Sequence, residues 1–172
     1  MEKNIILIGM AAAGKSTIGK QLADRLDLPF VDTDLLMEAW WGAPLQSIRD
    51  FLGLEAFLRA EAEQVLRLRL SGCVIATGGS VVYSEEAMAR LREMGSVVYL
   101  RSSFETIARR LKNPLSRGLA MRPGQSIRDL YDERAPLYSR YAHLTVDADT
   151  DGEPEEILSA IIHAVSLREE SS

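Results

Sequence analysis

The chain has 172 residues, 47% of them hydrophobic and 26% charged, with a net charge of −5. That size and balance suit one domain whose core needs neither disulfides nor metals, and the acidic excess argues against a nucleic-acid-binding surface. The lone Cys73 sits in an apolar run and reads as a buried small hydrophobe, and no apolar stretch approaches the roughly 18 residues of a membrane span, so a soluble, reducing, cytoplasmic setting and a monomer are expected.

Residues 4–8, an apolar run rich in isoleucine, read as a strand, and residues 9–17 after it match the pattern G-x-x-x-x-G-K-[ST]. A strand feeding a glycine loop that opens a helix is what phosphate binding requires. Gly9 and Gly14 let the backbone through Ala11, Ala12 and Ala13 curl with its N–H groups inward, and the helix beginning at Lys15, Ser16 and Thr17 adds its positive dipole end. In that pattern Lys15 bridges the β- and γ-phosphates of a nucleotide and Ser16 ligates Mg²⁺.

A helix is expected over 15–27 and a strand over 29–31. Asp32 and Asp34 follow that strand. If the segment stays extended, both carboxylates face one crevice, where one holds the metal shell and the other accepts the proton of an attacking hydroxyl. The plainer reading is that Asp34 caps the next helix, at 34–41, in which Met37, Trp40 and Trp41 read as packing residues. One long helix is expected over 45–70, where Arg59 and Glu61 resemble part of a solvated face. The strand at 73–77 ends in Gly78-Gly79, side-chain-free backbone that can approach a substrate or donate N–H groups to it.

A helix at 84–94, a strand at 96–100 and a helix at 103–112 lead into 113–125, a loop with two prolines and two glycines that reads as a lid. Arg109, Arg110 and Arg117 cluster at its entrance and Arg122 lies within it. A helix at 126–140 carries Arg134, and a strand at 143–147 and a helix at 153–168 precede a frayed tail at 168–172. Guanidinium forks suit phosphoryl oxygens and carboxylates. His143 and His163 show no partner pattern. The β–α alternation predicts an α/β domain spanning 1–172, a parallel five-stranded sheet with helices on both faces. The glycine loop, Asp32 and Gly78 all fall at carboxyl ends of strands, where ligands of such sheets collect.

These pieces, together with Gly53, Phe57, Glu61, Thr77 and the run Arg134-Ala135-Pro136-Leu137-Tyr138, resemble shikimate kinase, a family of small kinases with a nucleoside-monophosphate-kinase-like fold, over about residues 3–165. The resemblance implies ATP and Mg²⁺, with Asp32 in the metal environment and Asp34 at the acceptor hydroxyl. It further implies Arg110 near adenine, Arg117 in the lid near the phosphates, and Arg134 on the acceptor's carboxylate. Three positions depart from the family's pattern. Leu58 replaces an arginine that holds the shikimate carboxylate, Ser80 replaces a third glycine, and the lid reads Arg117-Gly118-Leu119-Ala120 in place of Arg-Pro-Leu-Leu. Without the arginine at 58, Glu61 lacks its counter-charge, and an acceptor bearing an ammonium restores the pairing. On that reasoning L-homoserine is expected ahead of shikimate, with Arg59 as a weaker replacement for the lost arginine. A nucleotide-binding regulator or NTP hydrolase and a nucleoside-monophosphate kinase are the remaining readings.

Overall fold

In a computed structural model, which describes residues 3–111, 118–149 and 154–170, β1 (Asn4–Ile8), β2 (Phe30–Asp32), β3 (Val74–Ala76), β4 (Gly95–Arg101) and β5 (Leu144–Asp147) form one sheet in the order β2-β3-β1-β4-β5. All pairings are parallel, with Leu7 opposite both Ala76 and Val98. The central strand β1 is buried at every residue, as the apolar run Ile5–Ile8 requires of a strand covered on both faces, and the amide of buried Asn4 bonds the Leu70 and Met94 carbonyls. The chain leaves β1 toward β2 on one side while β4 and β5 lie on the other, so the carboxyl end of β1 is a topological switch point.

On one face α1 (Lys15–Leu26) and α8 (Pro154–Glu170) pack Ile18, Leu22, Leu158 and Ile161 against Leu7, Val74, Val98 and Leu100. The other face is covered by α5 (Glu85–Met94), α6 (Phe104–Arg110), α7 (Ile127–Tyr141) and the end of α4 (Leu54–Arg67), through Met88, Leu91, Ile107, Leu130, Tyr138 and Val65. Serine caps start three of these helices: Ser84 accepts from the Ala87 N–H, Ser103 from that of Thr106, and Ser126 forms a reciprocal capping box with Asp129. Beside the sheet, α2 (Thr33–Trp41), α3 (Leu45–Leu52) and the start of α4 share a smaller core of Met37, Ile48, Phe57 and Ala120, with Leu58 against it.

Two expectations are corrected. The helix expected over 45–70 is two helices, because Gly53 adopts φ +74°, ψ 166°, closing α3 through its N–H and opening α4 through its carbonyl. Of Met37, Trp40 and Trp41, expected as packing residues, only Met37 is core: Trp40 is 76% exposed and, with the exposed Trp41 and with Leu68, lines an apolar groove of about 260 Å³ apart from the glycine loop. Cys73 is buried as expected, and His143 is structural, its Nδ1 accepting from the Val97 N–H at 3.1 Å. Among the described residues no helix is long and apolar enough to cross a membrane.

Candidate active site

The glycine loop leaves β1 with φ +144° at Gly9, +65° at Ala12 and +97° at Gly14. Gly14 begins α1 with no side-chain cap, so the first-turn N–H groups of that helix stay available to an anion. The Lys15 ammonium folds back over the loop and donates to the carbonyls of Gly9 and Met10, both at 2.8 Å. Burial pulls its pKa down to about 8, against the opposing pull of Asp34 and Asp32. A cleft of about 690 Å³ runs from this loop in two directions. At one end it is bordered by Arg110, Ala148, Pro154 and Ile157, at the other by Asp34, Glu38, Leu45 and Gln46.

Asp32 has two duties. Its Oδ2 accepts from Ser16 Oγ at 2.6 Å, while its Oδ1 caps α2 by accepting from the Asp34 and Leu35 N–H groups. The cap is therefore Asp32 and not Asp34, and the helix begins at Thr33, so the segment is not extended. Asp34 sits in the first turn of α2 and still reaches the cleft. Thr33 between them is buried and accepts from the Gly78 N–H at 3.0 Å. That N–H is thus spent within the protein, and what Gly78 supplies is room. A Cβ there would collide with Glu61 Oε1 and lie 2.7 Å from Asp34 Oδ1. Two carboxylates are packed over one α-carbon. Burial raises the Asp34 pKa to about 6, opposed by Lys15, and burial followed by the Asp34 charge raises that of Glu61 to about 7.

Glu61 belongs to no solvated face. It is 3% exposed, and Ser80 donates its hydroxyl to Glu61 Oε2. The serine that replaces the family's glycine therefore supplies a partner to the carboxylate that lost its arginine. Because the folded-state pKa is raised, the stability contribution of Glu61 is full below about pH 4.5 and is lost as pH rises through about 7. Glu61→Gln removes that loss. Its melting temperature is expected to exceed the wild type's at pH 8 by several degrees, corresponding to up to about 3 kcal/mol, and to converge with it near pH 5. Thermal melts across that interval check it, and parallel curves would show that Glu61 does not titrate there.

Arg134 is 1% exposed. Its Nε donates to Tyr83 Oη at 3.1 Å and its Nη2 to the Ala120 carbonyl at 2.7 Å, and the place of a Cβ on Gly79 lies 3.2 Å from its Nη1. Tyr138 fixes Gly79 from below by donating to its carbonyl at 2.6 Å. Among the described residues no carboxylate lies within ion-pair distance of Arg134. Arg110 borders the cleft, whereas Arg109 is exposed and does not; Arg59 is exposed and faces Glu55 at 4.0 Å, away from Glu61's side of α4. Arg117 and the first part of the expected lid lie outside the described residues. The rest of that segment is packed: Leu119 and Ala120 are buried, and Gly118 donates to Gln46 Oε1 at 3.1 Å. Arg122 pairs with Glu133 at the surface. Sequence reasoning passed over Tyr83 and Arg49, whose Nη2 donates to the Met121 carbonyl at 3.1 Å. Neither lies in a motif; only the folded neighbourhood of residues 120–121 draws attention to them.

A glycine loop at the switch point, a lysine over it, an acidic pair beside it and a buried guanidinium against Gly79 define a P-loop kinase acting on a small molecule. The family model for shikimate kinase matches residues 11–166. The chain is 43% identical over 151 residues to a shikimate kinase of Thioalkalivibrio sulfidiphilus, covering 86% of this chain and 80% of that one. It is 35% identical over 167 residues to one of Sulfurihydrogenibium, covering 96% and 99%. Among solved structures, shikimate kinase from Acinetobacter baumannii in complex with shikimate superposes with a TM-score of 0.88 at 30% identity, over 98% of this chain and 95% of that one. The chain belongs to the shikimate kinase family. It is an ATP-dependent phosphotransferase with an alcohol as acceptor, of a family that uses ATP and Mg²⁺.

Proposed function

We propose that the acceptor is shikimate, phosphorylated on a hydroxyl by ATP. The observation that carries this reading is Arg134, a buried guanidinium without a carboxylate partner among the described residues, its Nη1 set against Gly79, next to the Gly78 over which Asp34 packs. A buried cation of this kind favours an anionic ligand, and a carboxylate matches its fork. The shikimate kinases to which the chain is similar support the same acceptor. The reason for preferring homoserine falls away: Glu61 is buried and already takes the Ser80 hydroxyl, so it offers an ammonium no exposed partner.

In the proposed reaction the loop N–H groups and α1 hold the phosphates and Lys15 stabilises charge on the β- and γ-oxygens. Arg110 borders the adenine end. Ser16 Oγ and Asp32 Oδ2, two hard oxygens 2.6 Å apart, fit Mg²⁺ and would hold it; bound there, it neutralises charge between the phosphates. Arg134, Gly78 and Gly79 position the acid so that its hydroxyl meets Asp34. The oxygen forms a bond to the γ-phosphorus, the bond to ADP breaks, and the hydroxyl proton passes to Asp34, whose pKa of about 6 leaves it mostly ionised at neutral pH yet basic enough to accept. Arg117, which the family resemblance puts near the phosphates, lies outside the described residues. Purified protein with ATP and Mg²⁺ is expected to convert shikimate, from a panel that also holds homoserine and other small hydroxy acids, with the highest kcat/KM and a product heavier by one phosphoryl group. A preference for homoserine overturns the reading, and ATP hydrolysis indifferent to every acceptor overturns it more deeply.

A further inference from the structure

Position 58 contributes no charge to this site: Leu58 packs into the small apolar core with Met37, Ile48 and Phe57. A single guanidinium, that of Arg134, then faces a carboxylate that in the family meets two. The neighbouring turn of structure supplies another. Arg49 follows the core residue Ile48 on α3, the helix before the one that carries Phe57 and Leu58, and bonds the carbonyl of Met121 next to the core residue Ala120.

Its guanidinium is anchored in a particular way. Nη2 donates to the Met121 carbonyl at 3.1 Å, while Arg134 Nη2 donates to the Ala120 carbonyl at 2.7 Å. Two guanidinium groups, one from α3 and one from α7, are thus fastened to consecutive peptide units, whose α-carbons lie about 3.8 Å apart. Arg49 Nε is buried and has no hydrogen-bond partner among the described residues, an arrangement that a ligand acceptor relieves. Its one ion pair among the described residues, to Asp50 at 3.4 Å, is held loosely: the Asp50 carboxylate is 60% exposed and also accepts from Gln46 at 2.8 Å. The Arg49 side chain itself is 23% exposed, open enough to meet a solute and buried enough to be directed. Gln46, one turn before it, borders the acceptor end of the cleft.

We propose that Arg49 is a substrate-binding residue that, with Arg134, clamps the acceptor's carboxylate and takes over the duty of the arginine absent at position 58. The inference rests on the acceptor being a carboxylic acid, as proposed above. It accounts for how a chain with leucine at 58 retains a two-armed anion site: the charge has moved from α4 to α3, and the vacated position has joined the apolar core. Arg59, exposed and paired with Glu55, provides no such arm.

The test compares wild type, Arg49→Gln, and Arg49→Gln with Leu58→Arg, each assayed with shikimate and with its carboxamide. Arg49→Gln is expected to lower kcat/KM for shikimate about 30-fold or more, chiefly through KM. The KM for ATP and the turnover of the carboxamide should stay near wild type, so that the acid-to-amide ratio falls by the same factor. Adding Leu58→Arg is expected to recover about tenfold or more, which a strut holding α3 to residues 120–121 would not do. An unchanged acid-to-amide ratio in Arg49→Gln overturns the proposal. Where that variant melts early, Arg49→Lys, which keeps a donor toward Met121 but not the planar fork, is read by the same ratio, a fall supporting the proposal and constancy overturning it. Failure of the wild-type protein to use shikimate overturns the acceptor reading instead, and the acid-to-amide ratio is then measured on the hydroxy acid from the panel that is phosphorylated.

Discussion

Asp34→Asn is expected to lower kcat by about 10² to 10⁴ while leaving the affinity for ATP within a few-fold of wild type. The asparagine keeps the shape that packs over Gly78 and beside Glu61, but it cannot take up the proton of the attacking hydroxyl. Folding is not expected to suffer. Asp34 has a folded-state pKa raised from 3.8 to about 6, so its stability contribution is full below about pH 3.8 and lost as pH rises through about 6. A neutral amide escapes that loss, and the melting temperature of Asp34→Asn at pH 7.5 should equal or exceed the wild type's. Equal stability with lost turnover separates the chemistry from the fold. If ATP binding collapses while phosphoryl transfer to the acceptor survives, the roles of Asp32 and Asp34 are exchanged.

What the sequence revealed about this site was local, and what it concealed was contact between distant residues. The glycine loop, its strand and its helix are contiguous over residues 4–26, and both the periodicity and the four motif positions point the same way, so β1, α1 and the place of Lys15 follow directly. All five strands and the two-faced sheet follow too: β1, β3 and β4 are buried almost throughout and leave apolar runs, while the part-exposed β2 and β5 stand out as short apolar breaks between segments of helical period. The helix over 45–70 went wrong at Gly53: the apolar period resumes at Leu54, and nothing in the letters tells a tolerated helical glycine from one at φ +74°. Glu61 sits among arginines and glutamates on α4, so its pattern is that of a solvated face, yet α4 presses this one position against Gly78 and Ser80. The exchange of glycine for serine at 80 was visible, but its meaning depends on a contact across 19 positions. Taken alone, the loss at 58 suggested a new acceptor. Taken with the Ser80–Glu61 hydrogen bond and the placement of Arg49, it supports the proposal of a rearranged site for the family's acceptor.

Lys15→Met is expected to lose about 10²-fold or more in turnover while remaining folded. The size of this effect follows from how the lysine is held. Its ammonium is buried, with a pKa pulled from 10.5 to about 8, so holding it charged at neutral pH costs on the order of 3 kcal/mol. By linkage that cost is full below about pH 8 and is relieved as pH rises toward 10.5, where the unfolded chain also gives up its proton. Methionine has similar length and no charge and removes the cost, but it leaves the Gly9 and Met10 carbonyls without their donor, at about 1–3 kcal/mol each. The two changes oppose each other, so the melting temperature should move by only a few degrees at pH 7.5. Nothing offsets the loss at the γ-phosphate. Two of the three ammonium protons already bond the loop, which aims the third donor. Arg134 is committed to Tyr83 and Ala120, and Arg110 lies toward the opposite end of the cleft. Retained turnover in a folded Lys15→Met protein would mean that the charge stabilising phosphoryl transfer comes from elsewhere. A variant that unfolds at 25 °C would mean instead that the two carbonyl bonds, and not the phosphate contact, are why the lysine is there.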